Sequence, residues 1–344
     1  MSKIKIVAEI GCNHNGDFNI AKELIIKAHA AGADSVKFQS FIPKNLVSKF
    51  ALKAEYQKEN DGGGSQLEML ERLALSNEDY KKLKSFAESI GIEIFSTPFD
   101  TESLEFLKGI GQNIWKIPSG EITNLPLLEK IAETECEDKQ IILSTGMSVK
   151  SEIEFAAGVL SRSKNTHFTV LHCNTQYPTL PEDMNLKAML TLKNYVPKNW
   201  HIGLSDHSEG TVAAVAAVAI GAEFIEKHFT LDKNLPGPDH KASVTPHELE
   251  KLVSDVRKAE IMLGDGEKRV TDSEKANKFV ARKSIVAKKN IKKGETFTEE
   301  NIACKRPGNG ISPIHWYDII GKKAEKDFSE DELISCKGVK REDE

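Results

Sequence analysis

Short apolar runs rich in β-branched residues alternate with amphipathic stretches from near residue 4 to near residue 230. No other feature of the chain narrows its fold as much. Eight of the runs read as strands, at 4–10, 35–41, 93–99, 115–119, 140–146, 168–174, 201–207 and 224–230. Between them, residues 19–31 (NIAKELIIKAHAA) bring apolar side chains round every three or four positions, the period of one buried helix face. Residues 77–90 are expected to form a helix with Asn77 as its N-cap and Glu78 and Asp79 in its first turn, and 246–263 a helix opening on Pro246. Eight β–α repeats within about 260 residues point to an α/β fold, a (β/α)8 TIM barrel over residues 1–263. A doubly wound open sheet is the alternative, but no G-x-G-x-x-G follows the first strand. Segment 42–66 is long for a strand-to-helix connection and ends in Asp61-Gly62-Gly63-Gly64-Ser65, which suits a lid or binding loop.

Beyond residue 263 the texture changes. Residues 264–281 are polar and read as a linker, and 282–344 as a small, mostly β second domain. So short a segment holds only a small core and is expected to lean on the barrel or on a partner chain.

The charge balance is mildly acidic, 47 Lys+Arg against 52 Asp+Glu. That disfavours non-specific nucleic-acid binding. Charged residues interrupt every apolar run well short of the ~18–20 residues that span a bilayer. The first residues pass from a short basic stretch into a strand-like run, without the apolar core of a signal peptide. Five scattered cysteines, with no C-x-x-C pair, point to a reducing cytoplasm rather than to a disulfide framework or a structural zinc site.

Barrel strands alternate their side chains between interior and helix layer, and barrel active sites lie at the strands' C-terminal ends. Nearly every strand places polar residues there. Glu9 ends the first, Lys37 and Gln39 share a face on the second, and Thr97 ends the third. Lys116 and Ser119 bracket the fourth, and Ser144 ends the fifth. His172 and Asn174 share a face on the sixth, Ser205 and His207 on the seventh, and Glu226 and His228 on the eighth. Such residues inside a barrel cost several kcal/mol unless they are paired or bind a ligand. His207 and His228 come from neighbouring strands. With Glu9, Glu226 or Asp239 they suit a divalent ion with open positions, such as Mn2+, Fe2+, Co2+ or Zn2+. Lys37 and Lys116, with Thr97, Ser119 and Ser144 around them, suit an anionic, phosphorylated ligand. Salt bridges to Glu9, Glu121 or Glu226 would also account for both lysines, and a Schiff-base lysine is a third reading. Pro236-Gly237-Pro238-Asp239-His240 follows the eighth strand and is expected to hang over the barrel mouth.

At these residues the chain resembles the sialic acid synthase family, which condenses phosphoenolpyruvate with an N-acetylated hexosamine. The matching stretches include AEIGCNHNGD (8–17), KFQSF (37–41), KAEYQ (53–57), FSTPFD (95–100), WKIPSGEITNLP (115–126), LHCNTQYPT (171–179), GLSDHSEG (203–210), EKHFTLDK (226–233), GPDHKAS (237–243) and KRPGNGISPIHWY (305–317), in order along essentially the whole chain. The C-terminal segment resembles the antifreeze-like (SAF) domain of these synthases. The resemblance implies that His207 and His228 hold Mn2+, with Mg2+ or Co2+ as alternatives. It implies that Lys37, Thr97, Lys116, Ser119 and Ser144, with Asn174 and Ser205, cradle phosphoenolpyruvate. Glu9 or Glu121 would carry the proton transfers, and Gln39, Tyr177 and Asp239 would hold the sugar. Arg306 would reach from the SAF domain into the barrel of the other subunit of a homodimer. Two sister activities share this pattern. KAEYQ, LHCNTQYPT and KRPGNGISPIHWY look closer to the bacterial neuraminate synthases, so the expected acceptor is N-acetylmannosamine and the product N-acetylneuraminate. The alternative is legionaminate formation from 2,4-diacetamido-2,4,6-trideoxymannose. A sugar- or ice-binding module on an inactive barrel is disfavoured, because Lys37, His207 and His228 are all present.

Overall fold

The computed structural model of the chain describes residues 3–340. It divides into two compact units, one ending at Gly264 and the other beginning at Asp265. In the first, eight strands form one parallel sheet: β1 Lys5–Gly11, β2 Ser35–Ser40, β3 Glu93–Pro98, β4 Ile114–Ile117, β5 Lys139–Ser144, β6 Thr166–Cys173, β7 His201–Asp206 and β8 Phe224–His228. Ladders join them in the order β3-β2-β1-β8-β7-β6-β5-β4, and β3 and β4 adjoin across the remaining seam. This is a TIM barrel, with helices following the strands.

Period-two alternation builds both layers. Outward residues such as Ile6, Ala8, Val36, Ile117 and Val170 are buried against the helices. Inward, Val7, Phe95, Ile114, Ile142, Leu171 and Phe224 form an apolar plug. Gly203 makes that plug possible, since a Cβ there would lie 2.3 Å from the Phe224 carbonyl oxygen and 2.7 Å from Leu171. Two residues beyond the plug on the same strand faces come Glu9, Thr97, Lys116, Ser144, Cys173 and Glu226. The plug thus floors the active-site mouth.

The helices start where their caps dictate. Asp17 accepts from the Asn19 and Ile20 amides and opens Phe18–Ala30. Pro246–Leu263 opens on its proline behind a Thr245/Glu248 capping box. The expected cap at Asn77 is displaced by one residue. Ser76 accepts from the Asp79 amide, and Asn77 is the first helical residue of Asn77–Ile90. Segment 42–66 is not a plain loop. It carries short helices at Pro43–Leu46 and Glu55–Asp61, and its last residues lead into Gln66–Leu73, which Ser65 caps reciprocally with Glu68.

In the second unit, β9 Ser284–Ala287 pairs antiparallel with β10 Ile302–Lys305. A small core gathers around them, with Ile285, Ile291, Phe297, Ile302, Ile311, Phe328 and Ile334 buried. Within the stretch read as a linker, Asp272–Ala281 is helical, opened by a Thr271/Glu274 capping box. Among the described residues, no helix is long and apolar enough to cross a membrane.

Candidate active site

The strand ends open into a cavity of about 550 Å3. Its floor is a buried charge network. Lys37 on β2 pairs with Glu9 on β1, lies 3.8 Å from Glu226 on β8, and donates to Thr97 Oγ1 at 3.2 Å. Lys116 on β4 pairs with Glu226 Oε1 at 2.9 Å, which also accepts from Ser205 Oγ at 2.9 Å. Gln39 Nε2 donates to Glu9 Oε1 at 3.2 Å. Without a ligand, then, the two lysines are neutralised by two carboxylates.

Those carboxylates have opposite characters. Burial, reinforced by Glu226, outweighs the pull of Lys37 and pushes Glu9 up to about 7. Burial also acts on Glu226, but Lys116 and Lys37 outweigh it and hold that carboxyl far below the usual range. Glu9 can therefore lend or take a proton near neutral pH, while Glu226 stays an anion. Ser144 Oγ is buried in the cavity wall without a protein partner. Ser119 Oγ lines the same wall and accepts from the Gly146 amide at 2.9 Å.

The two histidines meet as expected, with ring centroids 5.1 Å apart. His207 Nδ1 faces the Asn174 carbonyl oxygen, which places a proton on Nδ1. His228 Nδ1 is buried without a hydrogen-bond partner and lies 3.8 Å from Asp239 Oδ2. Burial, with His207 and Lys37 close by, keeps His228 well below the ordinary imidazole range, hence neutral. Burial acts to lower the His207 imidazole, but Cys173 beside it and the Asn174 carbonyl outweigh burial and raise it, so His207 would give up a proton on taking an ion, whereas His228 is neutral with an orphaned ring nitrogen. Two imidazoles fit a divalent transition ion better than Mg2+, which favours oxygen ligands. Among the described residues no group of three or more His, Cys, Asp or Glu is placed to hold an ion, so the imidazoles of His207 and His228 are the two donors this site could offer. Glu9 and Glu226, considered as further ligands, are engaged by the lysines instead.

Asp239 reaches the cavity as expected, and Cys12 Sγ contacts its Oδ2 at 3.5 Å. Tyr177 stacks on His207 at 4.2 Å between centroids. Glu121 lines the wall, accepts from Asn124 Nδ2 at 2.6 Å, and is raised by burial. Asn174 is a correction. Leu171 of the plug fixes the inward parity of β6, so Cys173 faces the cavity and His172 points outward, 2.7 Å from the Met184 carbonyl. The Asn174 side chain bonds within its own loop, accepting from the Gln176 amide, while the next residue, Thr175, lines the wall. Arg306 lies in the second unit, where its Nε donates to the Ala281 carbonyl.

Segment 42–66 and the helix Gln66–Leu73 that follows it supply what strand-end reasoning missed. Leu46, Val47, Met69, Leu70 and Leu73 give the cavity an apolar side. Tyr56 stacks on Tyr177 at 5.2 Å, extending the aromatic column that ends on His207. Lys53 stays out of the cavity, its ammonium held by Asp61 and the Gly62 and Gly63 carbonyls.

Comparison with known proteins agrees with this geometry. Residues 24–268 match the NeuB family and residues 282–339 the SAF domain. The chain is 50% identical over 337 residues to the N,N'-diacetyllegionaminic acid synthase of Campylobacter jejuni, covering 97% of this chain and 99% of the relative. It is 44% identical over 329 residues to the enzyme of the same name from Legionella pneumophila, covering 94% and 91%. Among solved structures, the N-acetylneuraminic acid (sialic acid) synthetase of Leptospira borgpetersenii superposes with a TM-score of 0.71 at 36% identity, over 80% of this chain and 90% of that one. A barrel with this charged mouth, matched along nearly its whole length, makes the chain an enzyme of the NeuB synthase family, its barrel followed by a SAF domain.

Proposed function

We propose that the protein condenses phosphoenolpyruvate with 2,4-diacetamido-2,4,6-trideoxymannose and water, giving N,N'-diacetyllegionaminate and phosphate. The observation that carries this reading is the 50% identity, over 97% of the chain, to a relative that bears the legionaminic acid synthase name. The likeness to the neuraminic acid synthetase is weaker, at 36%, so the diacetamido sugar replaces the N-acetylmannosamine expected from the motifs. The apolar side of the cavity supports the same choice, because a 6-methyl group suits it better than a hydroxyl.

In this reading Lys37 and Lys116 exchange part of their pairing with Glu9 and Glu226 for the phosphate and carboxylate of phosphoenolpyruvate. Ser144 Oγ, now without a partner, donates to the same anion, and Ser119 and Ser205 lie beside it. Gln39, Tyr177 and Asp239 hold the open-chain sugar. The enol carbon C3 forms a bond to the aldehyde carbon C1, and Glu9 delivers its proton to the aldehyde oxygen. Glu9, now a carboxylate, takes a proton from the water that adds at C2. The tetrahedral adduct then loses phosphate by cleavage of its C2–O bond and becomes the 2-keto acid. A bound Mn2+ on His207 and His228 would supply polarisation of the aldehyde carbonyl. We place Arg306 at the barrel mouth of a second copy in a homodimer, and the reaction in the reducing cytoplasm, in keeping with five free cysteines.

Phosphoenolpyruvate labelled with 18O at the bridging oxygen tests the chemistry. This route expels the label in phosphate. Label retained in the organic product would mean P–O cleavage and would refute the route.

A further inference from the structure

The strands that carry the two histidines are also joined behind the site, by a charge pair the reaction does not touch. β7 and β8 run in register, with Leu204 opposite Ile225, Ser205 opposite Glu226 and Asp206 opposite Lys227. Ser205, His207, Glu226 and His228 line the cavity. Alternation therefore puts Leu204, Ile225, Asp206 and Lys227 on the outer face. Leu204 and Ile225 are what a barrel wall calls for, both 0% exposed. One step further along, at the level of the histidines, the wall holds ions instead. Lys227 Nζ pairs with Asp206 Oδ2 at 2.9 Å, both side chains 0% exposed.

The remaining bonds of that pair converge on the backbone around His207. The amide and hydroxyl of Ser208 donate to Asp206 Oδ1 at 2.9 and 2.7 Å. Lys227 Nζ also donates to the Ser208 carbonyl. The residues on either side of His207 are thus tied to each other and to the residue that precedes His228. Taking two charges out of water is unfavourable, and an apolar pair would fill a barrel wall at lower cost. Their bonds close between the residues that flank His207 and the residue that precedes His228.

We propose that Asp206, Lys227 and Ser208 are positioning residues that hold the His207 and His228 imidazoles as one preorganised pair of metal donors. The proposal rests on the reading of those histidines as metal donors. A network that orients metal-bearing side chains is expected to matter for affinity by about 10- to 100-fold.

The test is Mn2+ titration of the full-length protein followed by electron paramagnetic resonance, with thermal melts and phosphoenolpyruvate binding measured on the same samples. In the variant D206L/K227M both charges leave together, so no lone buried ion remains. Its Tm is expected within a few degrees of wild type, its phosphoenolpyruvate affinity within about twofold, and its Mn2+ Kd weaker by about 10- to 100-fold. Wild-type Mn2+ affinity in this variant overturns the proposal and leaves the metal reading standing. A wild-type protein that binds no Mn2+ overturns both. If D206L/K227M does not fold, S208A carries the test, since it removes one hydroxyl and leaves the charge pair intact. Weaker Mn2+ binding by S208A at unchanged Tm supports the proposal, and unchanged binding overturns it.

Discussion

Replacing Glu226 by Gln should make the ligand-free protein less stable and its response to phosphoenolpyruvate larger. Glu226 is 3% exposed and faces two ammonium groups, Lys116 at 2.9 Å and Lys37 at 3.8 Å. The amide keeps the shape and an acceptor for Ser205 Oγ, and only the charge is lost. Removing one partner of a buried ion pair costs about 3–5 kcal/mol, most of it the cost of the cation left behind. At roughly 2–4 °C per kcal/mol for a domain this size, Tm should fall by about 6–20 °C. Phosphoenolpyruvate reverses part of that loss. In the wild type the ligand competes with Glu226 for both lysines, whereas in the variant it meets lysines short of one counter-charge. Differential scanning fluorimetry with and without saturating phosphoenolpyruvate reads both effects. An unchanged ligand-free Tm would refute the charge accounting. A ligand-induced shift smaller than that of the wild type would refute the placement of the anion on Lys37 and Lys116.

Glu9→Gln should lower kcat by at least about 10²-fold while phosphoenolpyruvate binding survives, because the amide cannot carry the proton; near-normal turnover in a folded protein would remove Glu9 from the mechanism. Mixing inactive E9Q with inactive R306A under subunit exchange should restore up to about a quarter of wild-type activity if Arg306 serves the other copy of a dimer, and none if it serves its own barrel. His14 should make the protein acid-sensitive. Burial, partly opposed by the Gly11 carbonyl, lowers its ring to about 4 from 6.5, so the unfolded chain binds the proton first as pH falls. The stability that a neutral His14 contributes is present above about pH 6.5 and drains away towards pH 4, by about 3 kcal/mol in all. Urea melts at pH 7 and pH 4.5 should show a smaller acid loss in His14→Phe, and equal losses in the two proteins would exclude His14 as the source.

Much of the barrel was legible because one rule, alternation, places both the core and the chemistry. The spacing Val7–Glu9, Phe95–Thr97 and Phe224–Glu226 is an apolar plug residue followed by a polar mouth residue on one face. The rule failed on β6 for a physical reason. In LHCN the polar residues His172 and Asn174 share the outward parity, so polarity selects the wrong face, and only contact with the plug shows that Leu171 and Cys173 point inward. Segment 42–66 was legible as a long connection but not as a wall, since its residues and those of the helix Gln66–Leu73 come together as one apolar side of the cavity only in the folded chain. Ser65 and Glu68, three apart, were the available sign of a helix there. A similar capping box at Thr271 and Glu274 marks the helix inside the supposed linker. The acceptor sugar was least legible. The motifs that carry the resemblance lie mostly at the strand ends and do not distinguish sugars that differ at C4 and C6.

The most direct test is phosphate release from phosphoenolpyruvate with Mn2+, comparing 2,4-diacetamido-2,4,6-trideoxymannose with N-acetylmannosamine, each with and without EDTA. The account predicts Mn2+-dependent release with both or with the diacetamido sugar alone, and the higher kcat/KM for the diacetamido sugar. A higher kcat/KM for N-acetylmannosamine would contradict the acceptor assignment, and no release with either sugar would contradict the synthase mechanism itself.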